Sequence, residues 1–328
     1  MKVLVTGGGG FIGTHLVEAQ LRKGRDVVAF DVNTSSLSHL TNKSKLQIVE
    51  GDIRDGSLLN QIINDVDWVF HLASVHLSIR TPDTEYKAIN VDGTRQLLEV
   101  SHRKSVSRFV HCSSVGVYGK IQRPPADEES VCAPESIYDV TKLEGEREVN
   151  SFHEETGFPV VVVRPAWVYG PGCPRTLKLF NSISRGRFFF VGNGDSLRHC
   201  LYVQDLLEGF ELCATVEQAV GNTYILADKR PVTTEQLVAT MSNILGTRMP
   251  TLRVPLWAIY PLCLASETVF KCLRKEPPFS RRSLNFFTNN TNFDISKARE
   301  ELNFDPNTSL NEGLKFAYNY MLNQGAFS

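Results

Sequence analysis

The chain has 328 residues, with 35 Lys plus Arg against 36 Asp plus Glu and a net charge of −1. That length allows one large domain or two smaller ones, and the near-neutral balance excludes a sequence-independent nucleic-acid binder, which needs a basic excess. Seven cysteines, at 112, 132, 173, 200, 213, 263 and 272, form no C-x-x-C pair, so the expectation is free thiols in a reducing cytoplasm, with no disulfide framework and no bound metal.

In chain order, Lys2-Val-Leu-Val-Thr6 reads as a short apolar strand. With a strand starting at residue 2, no signal peptide is expected. Gly7-Gly8-Gly9-Gly10 follows, and then a helix opens at Phe11-Ile12-Gly13. Glycines let backbone approach a pyrophosphate closely, and a helix N-terminus offers free N–H groups with a partial positive charge. The run fits two spacings, Gly8-x-Gly10-x-x-Gly13 and Gly7-x-x-Gly10-x-x-Gly13.

The strand Asp26–Asp31 ends in a carboxylate about 20 residues past the turn, where a dinucleotide-binding unit places an acid on the adenosine ribose hydroxyls. A carboxylate there repels a 2′-phosphate, and Val32-Asn33 supply no cation for one, so NAD is expected over NADP. A third strand, 46–50, leads to Gly51-Asp52-Ile53, where Asp52 can bond an adenine amino group and Ile53 can lie on the ring. Residues 66–73 read as a buried parallel strand, and 84–102 as a long helix that holds Asn90 in its interior, an unfavourable place for Asn.

The strand Arg108–Cys112 runs into Ser113-Ser114, at the strand end where open α/β sheets bind ligands. Ser136 is a plausible N-cap for a helix over 136–150. Tyr138 and Lys142 lie four apart on it and share a face. An ammonium there would lower the phenol pKa, which suits proton transfer during alcohol–ketone interconversion. Residues 159–165 are one more buried strand. About six alternating strands and helices predict a doubly wound parallel sheet, in an α/β fold. Residues 1–172 form the core, and 173–328 a smaller substrate lobe partly interleaved with it. The proline-broken apolar stretch 254–270 is too short to span a membrane; it reads as a buried helix or a lid over an apolar substrate, with peripheral membrane contact the weaker option.

Together these residues resemble the extended short-chain dehydrogenases/reductases, the NAD-dependent epimerase/dehydratase family. The resemblance rests on Thr6-Gly7-x-x-Gly10-x-x-Gly13, Asp31, Gly51-Asp52-Ile53, His71-Leu72-Ala73, Asn90-Val-Asp-Gly-Thr94, Ser113-Ser114-x-x-Val117-Tyr118-Gly119, Tyr138-x-x-x-Lys142, Arg164-Pro165-x-x-Val168-Tyr169-Gly170-Pro171 and Tyr202-Val203-x-Asp205. It selects the Gly7 spacing. It implies a Rossmann core that binds NAD through Gly7, Gly10, Phe11, Ile12, Gly13, Asp31, Asp52, Ile53, Leu72, Ala73, Pro165 and Val168. Tyr138 would be the acid/base, Lys142 would hold the nicotinamide ribose, Ser114 would orient the substrate oxygen, and Asn90 would support the relay helix. The helices at 84–102 and 136–150 correspond to those of the family's homodimer interface.

Two branches compete for the substrate. Residues 254–270, Pro278-Phe-Ser-Arg281, Phe293-Asp-Ile-Ser-Lys-Ala298 and Pro306-x-x-Ser309-Leu-x-Glu312-Gly313 are similar to 3β-hydroxysteroid dehydrogenases and imply a secondary alcohol or ketone on a hydrophobic molecule. Leu197-Arg198-His199-x-x-Tyr202-Val203-x-Asp205 is similar to nucleotide-sugar 4-epimerases, where the matching Arg pairs with a diphosphate. Arg198 and Arg282 are the candidate substrate cations.

Overall fold

The fold was analysed on a computed structural model that describes residues 1–75, 81–272 and 281–325. Seven parallel strands form the central sheet: β1 (Lys2–Thr6), β2 (Asp26–Asp31), β3 (Leu46–Glu50), β4 (Trp68–His71), β5 (Arg108–Cys112), β6 (Val160–Pro165) and, from the second half of the chain, a strand at Thr223–Leu226. Their order is Thr223–Leu226, β6, β5, β4, β1, β2, β3. The order reverses at β1, which pairs with both β2 and β4. A sheet of this kind opens its ligand crevice outside the carboxyl ends of the strands at that switch point. The glycine turn after β1 and Leu72-Ala73 after β4 therefore face one crevice.

Side-chain alternation explains why the sheet is covered on both faces. Val3, Val5, Val27, Ala29, Phe70, Val110, Val161 and Val163 point one way, into a cluster with Leu16 and Val17 of helix α1 (Phe11–Arg22). Leu4, Val28, Phe30, Val69, Phe109, Val160 and Val162 point the other way. They meet α2 (Gly56–Ile62), α4 (Gly93–Arg103) and α5 (Ile137–Thr156) through Leu59, Leu97, Leu98, Val149 and Phe152; α3 (Asp83–Lys87) precedes α4. Two-sided burial is why these strands read as continuous apolar runs.

The long helix expected over 84–102 is interrupted. Between α3 and α4 the chain takes one π-helical turn, Ala88–Asp92, which contains Asn90. The remaining elements are β7 (Trp167–Tyr169), α6 (Pro174–Ser184), β8 (Phe190–Val191), β9 (Leu197–Arg198), β10 (Cys200–Tyr202), α7 (Val203–Thr215), β11 (the Thr223–Leu226 strand), β12 (Val232–Thr233), α8 (Thr234–Leu245), β13 (Arg253–Val254), α9 (Leu256–Cys272), α10 (Arg281–Thr288), α11 (Ser296–Leu302) and α12 (Leu310–Asn323). The short strands pair as β7–β10, β9–β12 and β8–β13. Across the two halves of the chain β11 pairs with β6, β10 pairs with β7, and an isolated bridge joins Ala126 and Phe293.

The burial expected for 254–270 needs correction. Among the described side chains of α9, Ile259 and Cys263 reach a core cluster, with Val191 and Leu284, while Trp257 on the opposite face is 79% exposed. No helix among the described residues is long and apolar enough to cross a membrane.

Candidate active site

The glycine turn has the geometry of a phosphate cradle. Gly7 takes φ +70°, and a Cβ there would lie 2.7 Å from the Leu72 carbonyl carbon and the Ala73 nitrogen. A Cβ on Gly13 would sit 2.0 Å from the Gly7 oxygen. Only glycine permits the left-handed turn at position 7 and the close seating of α1 on it. This is the physical basis of the Gly7/Gly10/Gly13 spacing; Gly8 has an ordinary φ. Gly10 caps α1 in an extended conformation without a side-chain hydrogen bond, so the first-turn N–H groups and the helix dipole face the crevice.

Asp31 is held ready beside it. One carboxylate oxygen accepts from the Gly9 N–H and the other from the Asn33 N–H, each at 3.0 Å. A cleft of about 330 Å³ is lined by Gly7, Gly10, Phe30, Asp31, Val32, Gly51, Asp52, Ile53, Leu72, Ala73, Ser74, Val75 and Ile89. It brings together seven of the cofactor residues expected from the sequence, at the crevice that the topology demands. Val32, Ser74, Val75 and Ile89 were not foreseen, since neither the loop residues nor the π-turn Ile89 carries a motif or a periodicity that marks it. Asp52 is engaged by Arg54, whose guanidinium donates at 2.6 and 2.9 Å and also reaches Glu85 at 3.1 Å. Hydrogen bonding from Arg54 holds the Asp52 carboxyl below its usual range. Phe11, Ile12 and Gly13 build the start of α1, Pro165 ends β6, and Val168 is buried in β7, where it pairs with Leu201 of β10. These five do not line that cleft.

The chemistry-bearing residues surround the ends of β4 and β5. Ser136 caps α5, accepting from the Asp139 N–H at 3.2 Å. Tyr138 lies in the first turn that follows. Lys142, fully buried, donates from Nζ to the Cys112 carbonyl at 2.5 Å, so the end of β5 fixes where its ammonium points. Ser114 caps a short 3-10 turn, and its Oγ accepts from the Gly116 N–H at 3.0 Å. Asn90 accepts from the Val75 N–H and donates to Thr141 Oγ1, both at 2.9 Å. It therefore ties the exit of β4 to α5, one turn from Tyr138. The π turn supplies the register that makes both bonds, as such single turns often do at functional sites.

Burial pushes the Tyr138 phenol up, Cys112 and Asp139 add to the shift, and Arg175 and a hydrogen bond with Ser74 oppose it. The net shift is upward, against the expected depression by Lys142: that ammonium gives one of its three donors to the Cys112 carbonyl, and burial pulls its own pKa down. As it stands the phenol holds its proton at neutral pH.

A buried network supports these elements. Arg164 of β6 forms an ion pair with Glu146 of α5 at 2.6 Å and bonds the Tyr118 hydroxyl at 2.7 Å, and Ser113 donates to Glu146. Thr6, His71 and Thr94 form a hydrogen-bonded chain of 2.8 and 2.9 Å across β1, β4 and α4.

Arg198 is engaged through one nitrogen, and its Nε has no partner among the described residues. Its Nη2 donates to the carbonyls of Asn285, Phe286 and Asn289 at the C-terminal end of α10, where the helix dipole favours a cation. Its guanidinium also lies 4.9 Å from the Phe286 ring centroid. The side chain of Arg282 falls outside the described residues. Asp205 accepts from the Asn307 and Thr308 N–H groups, each at 3.3 Å, and steadies the approach to α12.

A doubly wound parallel sheet with a glycine turn, a carboxylate held beside it and a cleft at its switch point defines a dinucleotide-binding fold. Residues 3–227 match the NAD dependent epimerase/dehydratase family, and the chain belongs to it. It is similar to zebrafish (Danio rerio) short-chain dehydrogenase/reductase family 42E member 1, at 31% identity over 92% of this chain and 83% of that one. It is also similar to 3beta-hydroxysteroid-dehydrogenase/decarboxylase isoform 1 of Arabidopsis thaliana, at 26% identity over 95% of this chain and 77% of that one. Among solved structures, UDP-glucuronic acid 4-epimerase from Bacillus cereus in complex with NAD superposes with a TM-score of 0.81, at 26% identity over 99% of both chains. The chain is thus an NAD-dependent enzyme of the extended short-chain dehydrogenase/reductase class.

Proposed function

We propose that the protein is an NAD-dependent oxidoreductase that interconverts a secondary alcohol and a ketone on a hydrophobic, steroid- or lipid-like substrate. The observation that carries the substrate class is the placement of Arg198. Its Nη2 is held by the carbonyls of Asn285, Phe286 and Asn289 and its plane lies over the Phe286 ring, while Nε has no partner among the described residues. A bidentate grip on a diphosphate through Nη2 would break those bonds, and burial pulls the guanidinium pKa down to about 10. The steroid-dehydrogenase relative supports the same reading.

Bound NAD supplies the hydride acceptor or donor. Gly7, Gly10 and the start of α1 receive its pyrophosphate, Asp31 its adenosine ribose, and Asp52 with Ile53 its adenine. Tyr138 gives its proton to the ketone oxygen, or takes one from the alcohol. Ser114 holds that oxygen, Lys142 binds the nicotinamide ribose, and Asn90 keeps α5 in register. The protein acts in the cytoplasm as a homodimer built on α4 and α5.

The second reading, a nucleotide-sugar 4-epimerase, is favoured by the Leu197-Arg198-His199 pattern and by the likeness to the Bacillus cereus epimerase. Assay of NADH formation with a panel of 3-hydroxysteroids, beside thermal protection by UDP-sugars, separates the two. The proposal expects Tyr138-dependent NADH with a steroid and no protection by any UDP-sugar. Protection by a UDP-sugar that Arg198→Gln abolishes, with no steroid turnover, would replace it with the epimerase.

A further inference from the structure

A path of hydrogen bonds runs from the glycine turn to the helix that holds Tyr138, with His71 at its centre. Thr6 ends β1 immediately before Gly7, and its Oγ1 accepts at 3.3 Å from the N–H of Ala73, a residue that lines the cleft. The same hydroxyl meets His71 Nδ1 at 2.8 Å, and His71 Nε2 meets Thr94 Oγ1 at 2.9 Å. Thr94 donates to the Asn90 carbonyl in the π turn at 2.8 Å. The Asn90 side chain donates to Thr141 Oγ1 at 2.9 Å, and Thr141 donates to the carbonyls of Ile137 and Tyr138 at 2.9 and 3.1 Å. Thr6, His71, Asn90, Thr94 and Thr141 are each at most 1% exposed, so bulk water does not compete for these bonds.

The donors fix the tautomer of the ring. A threonine hydroxyl has one proton. Thr94 gives it to the Asn90 carbonyl, so toward His71 this oxygen accepts, and Nε2 is the protonated nitrogen. Nδ1 is then bare and takes the proton of Thr6, whose oxygen accepts from Ala73. Every donor and acceptor is matched in this arrangement, whereas a proton on Nδ1 would set bare Nε2 against the Thr94 oxygen. Burial, with Lys142 nearby, lowers His71 to about 3, which keeps the ring neutral. Both ends of the path through the ring are backbone groups, the Ala73 N–H and the Asn90 carbonyl, so it transmits position and not protons.

The sheet does not need this ring. Thr6 and His71 are neighbours in the β1–β4 ladder, and an aliphatic side chain would fill the space without polar groups to satisfy. What the ring adds is a tie from the sheet to the π turn, which belongs to no strand. A fully matched buried network holds one arrangement against others. Helix α5 packs on the same turn: a Cβ on Gly145 would lie 2.6 Å from the Asn90 oxygen. We infer that His71, as its Nε2–H tautomer, is a positioning residue that sets the π turn, and through Asn90 the first turn of α5 with Tyr138, against the cofactor turn. The inference rests on the roles proposed above for Asn90 and Tyr138.

Two measurements test it. In full-length protein carrying isotopically labelled histidine, a long-range proton–nitrogen correlation spectrum at neutral pH should show Nε2 of His71 protonated and Nδ1 bare, with the signals assigned by their loss in His71→Gln. Thr94→Val keeps the side-chain volume but removes both bonds of that hydroxyl. It should lower kcat about tenfold while the Kd for NAD stays within about threefold of the parent, and Thr94→Ser should restore kcat. Retained NAD affinity shows that the variant is folded, and the substrate is whichever steroid or UDP-sugar the parent turns over. A protonated Nδ1 or a charged ring overturns the inference without any need for turnover. So does an unchanged kcat in Thr94→Val when Tyr138→Phe is inactive, and so do parallel losses of kcat and NAD affinity, the mark of a general loosening. Activity that survives Tyr138→Phe overturns the proposed reaction instead.

Discussion

In the proposed reaction Asp31 sets the cofactor choice, and its surroundings allow the effect of replacing it to be worked out. Each carboxylate oxygen already accepts one backbone N–H at 3.0 Å, from Gly9 and from Asn33, and has a remaining lone pair for a ribose hydroxyl. In Asp31→Asn either amide orientation sets an NH2 group against one of those N–H donors, so the side chain must turn away and lose its aim. Asp31→Ala removes both acceptors. A hydrogen bond to a charged acceptor contributes about 1.5–3 kcal/mol, so two ribose bonds amount to about 3 kcal/mol at the low end, or about a hundredfold in Kd. Calorimetric titration with NAD and NADP gives the answer directly. The parent should prefer NAD, Asp31→Ala should weaken NAD by about a hundredfold, and its discrimination against NADP should fall. Unchanged NAD affinity in Asp31→Ala, or equal affinity of the parent for both dinucleotides, would refute the reasoning.

Tyr138→Phe should abolish turnover while leaving NAD affinity within about threefold, since it deletes the proton donor and not the cradle. Because burial raises the Tyr138 pKa, ketone reduction, which uses the protonated phenol, should stay level through neutral pH, whereas alcohol oxidation should climb as pH rises above neutrality; pH–rate profiles in the two directions that coincide would contradict this. Arg164→Met leaves the Glu146 carboxylate buried beside Ser113 alone and should cost about 3–5 kcal/mol in a denaturant melt, with the Glu146→Met/Arg164→Met pair recovering much of it; a mild effect of the single change would show that the ion pair is dispensable. Burial lowers His71 to about 3 and His199 to about 4. The unfolded chain therefore takes up protons first as pH falls below about 6.5, and each site removes up to about 1.4 kcal/mol of stability per pH unit until its folded pKa is reached. Thermal melts should accordingly drop between about pH 6.5 and 4, and replacing His199 by Gln should flatten that drop.

Sequence alone determined the sheet and its cofactor. Strands buried on both faces must be continuously apolar, so β1, β4, β5 and β6 were legible as runs. A left-handed turn and a tight helix seat can be made only by glycine, so Gly7 and Gly13 were legible as a cradle. The position of Asp31 followed from its distance along the chain. What the sequence could not decide lies in contacts between residues far apart. Whether Lys142 charges Tyr138 depends on the Cys112 carbonyl, 30 residues away. Asn90 looked like a misplaced helix residue until the π turn brought it to Val75 and Thr141. The apolar stretch of α9 reads the same whether buried or bare, because hydropathy records what a side chain prefers and not what covers it. Only tertiary packing showed Ile259 and Cys263 turned inward and Trp257 turned to solvent. Arg198 is the sharpest case. Its motif matches a diphosphate partner, but the end of α10 and Asn289 just after it, nearly 90 residues on, present three carbonyls to its Nη2. A cation goes to whichever acceptors the fold brings nearest, and sequence spacing does not contain that distance.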